Sequence, residues 1–363
     1  VKAEGGGVSV ALKHGGDLSA ASEVFGIPKD QWIDLSTGIS PWSWNVPEVP
    51  ESVWKALPDA CDGLEEAAAN YYGCDPGVLL AVPGSQYALQ HIPFHIDRGR
   101  VAIPVRGYAE HRAAWLNAGH KVVDYQNAAQ LAQLIAGHDV QHAVVINPNN
   151  PTGEMVGCQQ LKAMQQQLHS AGGWMIVDEA FVDASPGNSL VSECPQSGLV
   201  VLRSVGKFFG LAGLRLGFIV APSILLQALA NDLPPWHVSH PARWVGKQAL
   251  VDTAWHQVQQ QRLKSEANIW RQILSEHFPE LRLSVSPLFV SGVGEAGYCK
   301  RLYQVLGQRA VLVRLFDDIN GQRMLRFGLP AEKDLSKVMA VLKQLATEQL
   351  LIGEQALAGE QTS

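Results

Sequence analysis

The chain of 363 residues carries 28 Lys and Arg against 34 Asp and Glu, a net charge of −6, and is 47% apolar and 17% charged. Such a balance excludes an intrinsically disordered chain and argues against a general nucleic-acid binder, which needs a basic patch. The length accommodates one large domain and a smaller one, with a well-buried core.

Five cysteines, Cys61, Cys74, Cys158, Cys194 and Cys299, stand far apart with no Cys-x-x-Cys pair. They point to reduced thiols, not to a disulfide framework or a metal site. No apolar run reaches the ~20 residues of a membrane span, and residues 1–16 lack a secretory pattern. A cytoplasmic protein with no membrane contact is expected.

In chain order, Leu64, Ala68, Tyr71 and Tyr72 fit one helix face, and residues 79–82 form a short apolar run. Residues 83–94 open like a helix, with Ser85 placed as its N-cap. Strands are predicted at 100–105, 121–125, 142–147, 174–179, 199–204 and 217–221. Helices fall at 110–119 and, closed by a glycine stop, at 158–173. Continuously apolar strands separated by helices imply an α/β domain with a mostly parallel central sheet covered on both faces.

Beyond residue 240 the texture changes. Residues 242–278 read as one long polar-faced helix, followed by short strands at 282–287, 311–316 and 324–329 and a helix near 332–351, a small α+β domain. The predicted division is an N-terminal segment, 1–45, packing with the small domain; a large domain, 46–240; an interdomain helix and small domain, 241–352; and a frayed tail, 353–363.

Ligands of open α/β sheets sit beyond the carboxyl ends of the strands. Three polar sites fall there: Asn150 in "NPNNPTG", Asp178 at the end of "WMIVD", and Ser204 and Lys207 in "SVGKFFGLAG". Each alone has a structural explanation, as a turn, a helix cap or an exposed loop lysine. A lysine among small and apolar residues has a lowered pKa if buried, which frees the amine as a nucleophile. The combination in this order is far more specific than its members.

Together these motifs resemble the fold-type I enzymes that use pyridoxal 5′-phosphate, the class I and II aminotransferase superfamily, over about residues 31–330. The resemblance implies that Lys207 bonds covalently to the cofactor, that Asp178 pairs with its ring nitrogen, and that Asn150 donates to its ring oxygen. It implies a phosphate site made by Ser204, Arg215 and the backbone amides of Gly84, Ser85 and Gln86, at a helix N-terminus that favours anions, and Tyr108 stacked on the ring. It also implies a homodimer with active sites at the subunit interface.

Two departures narrow the resemblance. Many members carry tyrosine three residues after the aspartate, where this chain has Phe181, which cannot donate to the ring oxygen. Histidinol-phosphate aminotransferases usually have Tyr-Pro where this chain has Leu57-Pro58, and that tyrosine ordinarily reaches the partner's cofactor. Residues 14–41, "HGGDLSAASEVFGIPKDQWIDLSTGISP", and 57–73 resemble the threonine-phosphate decarboxylases of cobalamin biosynthesis.

That branch implies decarboxylation of L-threonine O-3-phosphate to (R)-1-aminopropan-2-ol O-2-phosphate. Arg326, Arg314 and His14 are the candidates for holding the two anionic groups of this small substrate. The alternative chemistry is aminotransfer from histidinol phosphate, because the cofactor motifs serve both reactions. A non-enzymatic relative is disfavoured by the joint presence of Lys207, Asp178, Asn150 and Arg215. A nicotinamide dehydrogenase is disfavoured because no Gly-x-Gly-x-x-Gly follows an early strand.

Overall fold

A computed structural model describes residues 14–194 and 196–345. The expected tail, 353–363, and the last residues of the expected 332–351 helix lie outside the described residues. The strands are β1 (Ile33–Asp34), β2 (Leu79–Val82), β3 (Arg100–Pro104), β4 (Lys121–Tyr125), β5 (His142–Ile146), β6 (Trp174–Asp178), β7 (Leu199–Ser204), β8 (Gly217–Val220), β9 (Arg282–Ser286), β10 (Phe289–Glu295), β11 (Val311–Leu312), β12 (Arg314–Leu315) and β13 (Gln322–Gly328).

The large sheet runs β2-β8-β7-β6-β5-β3-β4, parallel except for β8, which is antiparallel to both neighbours. Strands β5, β7 and β8 are buried at every residue. Successive side chains of a strand enter opposite faces. Val144, Ile176, Val200 and Leu202 therefore pack with Leu89, Trp115 and Leu229 from helices Ser85–His91, Ala109–Asn117 and Ser223–Asn231. Val145, Val177 and Val201 pack on the other face with Leu64, Leu161 and Leu263. Each such burial contributes about 1.5–3 kcal/mol, and two-sided covering explains why the strands read as unbroken apolar runs.

The smaller sheet runs β12-β13-β10-β9. The run expected as one strand at 311–316 is divided. Its first half, β11, pairs in parallel with β1 of the N-terminal segment, and its second half, β12, pairs with β13. Strand β10 was not expected, because Gly292 and Gly294 weaken its strand pattern. Those glycines are required by space: a Cβ at either would lie 2.9 Å from a side-chain carbon of Leu281.

Two further expectations are corrected. The single helix over 242–278 is two, His240–Val251 and Thr253–His277. The break is at Asp252, whose carboxylate accepts from Trp255 N at 3.1 Å and from Trp44 Nε1 at 3.0 Å. Ser85 is the first residue of its helix and not the cap. The cap is Gly84, at φ 80° and without a side-chain bond.

Because β8 is antiparallel, its start lies at the same edge as the ends of β2, β5, β6 and β7, so Gly217 sits opposite Ser204. A Cβ at Gly217 would collide with backbone atoms: Ser85 N, and Arg203 O and Gly84 C at 2.9 Å. Gly217→Ala is expected to lower the unfolding free energy by about 1–3 kcal/mol in urea titration. Gly187→Ala, with nothing within 4 Å of its Cβ, should change it by less than about 0.5 kcal/mol. Equal small effects would contradict the close approach.

Candidate active site

At the sheet edge the segment after β2 turns into the helix Ser85–His91. Its first amides, those of Ser85 and Gln86, have no intrahelical acceptor. The Gly84 amide, expected to join them, already donates to Val82 O at 2.7 Å. Arg215, in the left-handed region at φ 54°, lays its guanidinium against Gly84, where a Cβ would meet Nη2 at 2.6 Å. Ser204, buried at the end of β7, accepts from Gly206 N at 3.3 Å. These groups form a cradle of donors and positive charge suited to an anion.

Lys207 follows β7, and its carbonyl accepts from Ser40 N at 3.0 Å. Its amine makes no hydrogen bond or ion pair among the described residues and stands 5.8 Å from the centre of the Phe181 ring. Burial pushes this amine down to about 8, with Arg326 and Arg215 adding to the effect and Asp178 opposing it. Phe181 is itself fixed, edge-on to Phe289 at 5.4 Å, and Gly38 packs so closely that a Cβ there would lie 2.7 Å from the ring.

Asp178 is the last residue of β6 and is buried. One carboxylate oxygen accepts from Ala180 N at 3.0 Å and the other meets His111 Nε2 at 3.0 Å. His111 was not anticipated from sequence. The signal was a lone histidine on the inward face of the helix Ala109–Asn117, where it is 1% exposed.

Arg326 and Arg314 are direct cross-strand partners on β13 and β12. Like charges so placed repel, and Arg326 is buried with no ion-pair partner among the described residues. Its Nη1 donates to Asn150 Oδ1 at 2.5 Å and its Nη2 to Ser36 O at 2.5 Å, while Nε has no partner among the described residues. Burial, then Arg314, lowers its proton affinity to about 10. The bond to Asn150 assigns the amide oxygen to Arg326 and leaves the Asn150 amino group as a donor.

The remaining wall is a chain of polar contacts. The Tyr108 hydroxyl donates to Gln86 Oε1 at 3.1 Å, Gln86 Nε2 donates to Glu110 at 3.0 Å, and His14 Nε2 meets Glu110 at 3.2 Å. His14, expected to reach a substrate anion, is thus engaged by a carboxylate that sequence reasoning missed. Its ring centre lies 6.2 Å from that of Tyr108.

A profile of the family described as aminotransferase class I and II matches residues 31–345. The chain is 42% identical over 323 residues to the threonine-phosphate decarboxylase of Pseudomonas aeruginosa, covering 89% of this chain and 94% of that protein. Among solved structures it resembles a histidinol-phosphate aminotransferase from Sinorhizobium meliloti in complex with pyridoxal 5′-phosphate, with TM-score 0.79, 16% identity and coverage of 94% and 99%. It also resembles an L-threonine-O-3-phosphate decarboxylase from Porphyromonas gingivalis, with TM-score 0.69, 19% identity and coverage of 85% and 98%.

The lowered proton affinity of Lys207 has a consequence for stability. An unfolded lysine titrates near 10.5 and the folded one at about 8, so between these values the unfolded chain holds more protons and stability rises with pH. In the ligand-free protein, Lys207→Met is expected to be more stable than wild type at pH 7. The gap should narrow as pH rises through 8 toward 10. A gap independent of pH in urea titrations would show that the amine is not depressed.

Proposed function

The chain belongs to the class I and II aminotransferase family, and from that premise we propose that it is a pyridoxal-phosphate-dependent carboxy-lyase. Its reaction is decarboxylation of L-threonine O-3-phosphate to (R)-1-aminopropan-2-ol O-2-phosphate and carbon dioxide. The observation that carries this reading is the 42% identity to a threonine-phosphate decarboxylase across nearly the full length of both chains.

The residues present fit the cofactor. The Gly84–Arg215 cradle suits its phosphate, the amine of Lys207, without a hydrogen bond among the described residues, its aldehyde, and the His111-held carboxylate of Asp178 its ring nitrogen. When bound, the cofactor supplies an electron-accepting ring for the pair released at the substrate's α-carbon. In this reading Ser85, Gln86, Ser204 and Arg215 hold the phosphate, Tyr108 covers one ring face, and Asn150 directs its amino group to the ring oxygen. Phe181 contributes no hydroxyl there, so that donation rests on Asn150. Lys207, its proton affinity near neutrality, is placed to exchange a proton at the α-carbon once the carboxylate has left.

Arg326 and Arg314 meet a substrate anion as a pair, and His14 with Glu110 closes the side by Tyr108. Finer assignments are supported less directly. The resemblance of residues 14–41 and 57–73 to threonine-phosphate decarboxylases supports cobalamin biosynthesis as the destination of the product. Five unpaired thiols suit a reducing cytoplasm, and among the described residues no helix is long and apolar enough to cross a membrane. Trp54 and Leu57, 66% and 64% exposed, support a homodimer through the segment that meets the partner in relatives.

The test supplies two substrates to the cofactor-loaded protein. Threonine phosphate alone is expected to give carbon dioxide and aminopropanol phosphate, abolished in Lys207→Ala. Histidinol phosphate with 2-oxoglutarate should give no glutamate above background. Glutamate without carbon dioxide would make the protein an aminotransferase.

A further inference from the structure

Beneath the cofactor-facing residues, on the opposite face of the same two strands, lies a buried ionic cluster that the proposed chemistry does not use. Arg203 Nη1 donates to Glu179 Oε2 at 2.8 Å and to Ser189 Oγ at 3.0 Å, and Nη2 is paired with Asp183 Oδ1. Glu179 further accepts from Ser189 Oγ at 2.6 Å and from Leu190 N at 2.7 Å. The Tyr71 hydroxyl donates to Asp183 at 3.1 Å, and the guanidinium lies 4.3 Å from the centre of the Tyr72 ring. Arg203 is 2% exposed, and Glu179 and Asp183 are fully buried.

The position of the cluster is what carries the inference. The β6–β7 ladder ends with Asp178 opposite Leu202, closed by Glu179 N donating to Leu202 O at 3.0 Å. Beyond that bond the two chains separate, one into the turn Val182–Ala184 and the other into the loop bearing Lys207. Side chains alternate between faces, so Asp178 and Ser204 face one side while Glu179 and Arg203, their immediate neighbours, face the other. The Arg203–Glu179 and Arg203–Asp183 pairs tie the two chains together at that fork, Glu179 standing next to Asp178.

We propose that Arg203 is a positioning residue for the reaction: its bond to Glu179 holds the strand end bearing Asp178 in register with the strand end leading to Ser204 and Lys207. A buried ion cluster contributes little to net stability compared with apolar packing of the same volume, so its value here is geometric. The cofactor would be gripped at its ring nitrogen by one strand and at its reactive carbon by the other. Separation of the two by a fraction of an ångström therefore misaligns both contacts. Gln260 Nε2, donating to Asp183 O at 3.0 Å, extends the brace to the helix Thr253–His277.

This inference rests on the reading of Asp178 and Lys207 as cofactor ligands, and the experiment separates the two. In the cofactor-loaded protein, the visible absorption band of the lysine-bound cofactor is titrated with pH for wild type, Arg203→Met, Arg203→Lys, Glu179→Gln and Leu161→Ala. Thermal midpoints, kcat and KM are measured alongside. Leu161, fully buried in the helix Cys158–Ser170 on the same face, serves as a control for lost stability.

Arg203→Met is expected to move the titration midpoint by about half a pH unit or more and to lower kcat on the order of tenfold or more. KM should change less, and Arg203→Lys should recover part of both effects. Leu161→Ala should lower the thermal midpoint while leaving the titration in place. Where Arg203→Met does not fold, Glu179→Gln, which keeps the shape, is expected to show the same shift. An unshifted titration in the folded brace variants, with activity lost only in step with stability as in Leu161→Ala, overturns the proposal. A band that persists in Lys207→Ala overturns the underlying assignment of the lysine instead.

Discussion

Positive charge gathered at one sheet edge around the buried guanidinium of Arg326 is the constraint on which this molecule turns. Lys207, Arg215, Arg314 and Arg326 act on one another across the cleft, with Asp178 opposing the charge of Lys207, Asp34 that of Arg326 and Asp317 that of Arg314. Crowding like charges around a buried guanidinium is costly. The chain is therefore organised around ligands that bring several negative charges of their own. In the proposed reading a phosphorylated cofactor would answer the charge of Arg215 beside Gly84, and the phosphate of the substrate would answer the Arg314–Arg326 pair. Burial depresses Lys207 and the same field adds to it, so the feature that demands anions also helps to prepare the nucleophile.

Bringing those charges together requires close backbone approach at a few points. Gly217 and Gly84 let Arg215 and the helix start meet the ends of β7 and β8. In the N-terminal segment Gly15 abuts the carbonyl group of Ser36, the same carbonyl that accepts from Arg326 Nη2, and Gly16 N donates to Ser36 Oγ at 2.7 Å. A side chain at Gly15 would push the segment off the arginine. The smaller sheet contributes register: pairing of β12 with β13 places Arg314 opposite Arg326, and pairing of β11 with β1 ties that sheet to residues 33–34. Fold and site thus share the same few contacts.

What was legible in the sequence follows from what is local. Strands β2 to β8 were readable because two-sided burial makes them continuously apolar, and Lys207, Asp178 and Asn150 were readable because they sit at strand ends in a motif order. Strand β10 was not, since its glycines answer to Leu281 and Leu283, which only the fold brings near. The break at Asp252 depends on Trp44, more than two hundred residues away in the chain. His111, Glu110 and the Arg203 cluster were illegible for a related reason. Each is a single ordinary residue whose meaning comes from a partner supplied by another element.

The choice between losing a carboxylate and losing a proton then reduces to where the anions are anchored. The bond that breaks must stand perpendicular to the cofactor ring so that its electrons can enter the ring system. A carboxylate gripped in the ring plane by an arginine leaves the α-hydrogen in the reactive position, which favours aminotransfer. Here Arg326 already gives Nη1 to Asn150 and Nη2 to Ser36, so its remaining capacity for a planar two-point grip on a carboxylate is small. A phosphate is less demanding, because its oxygens point in several directions and can be shared between two guanidinia. A substrate that gives its phosphate to Arg314 and Arg326 keeps its carboxylate free to turn out of the plane. On this account the second anion of the substrate selects the bond.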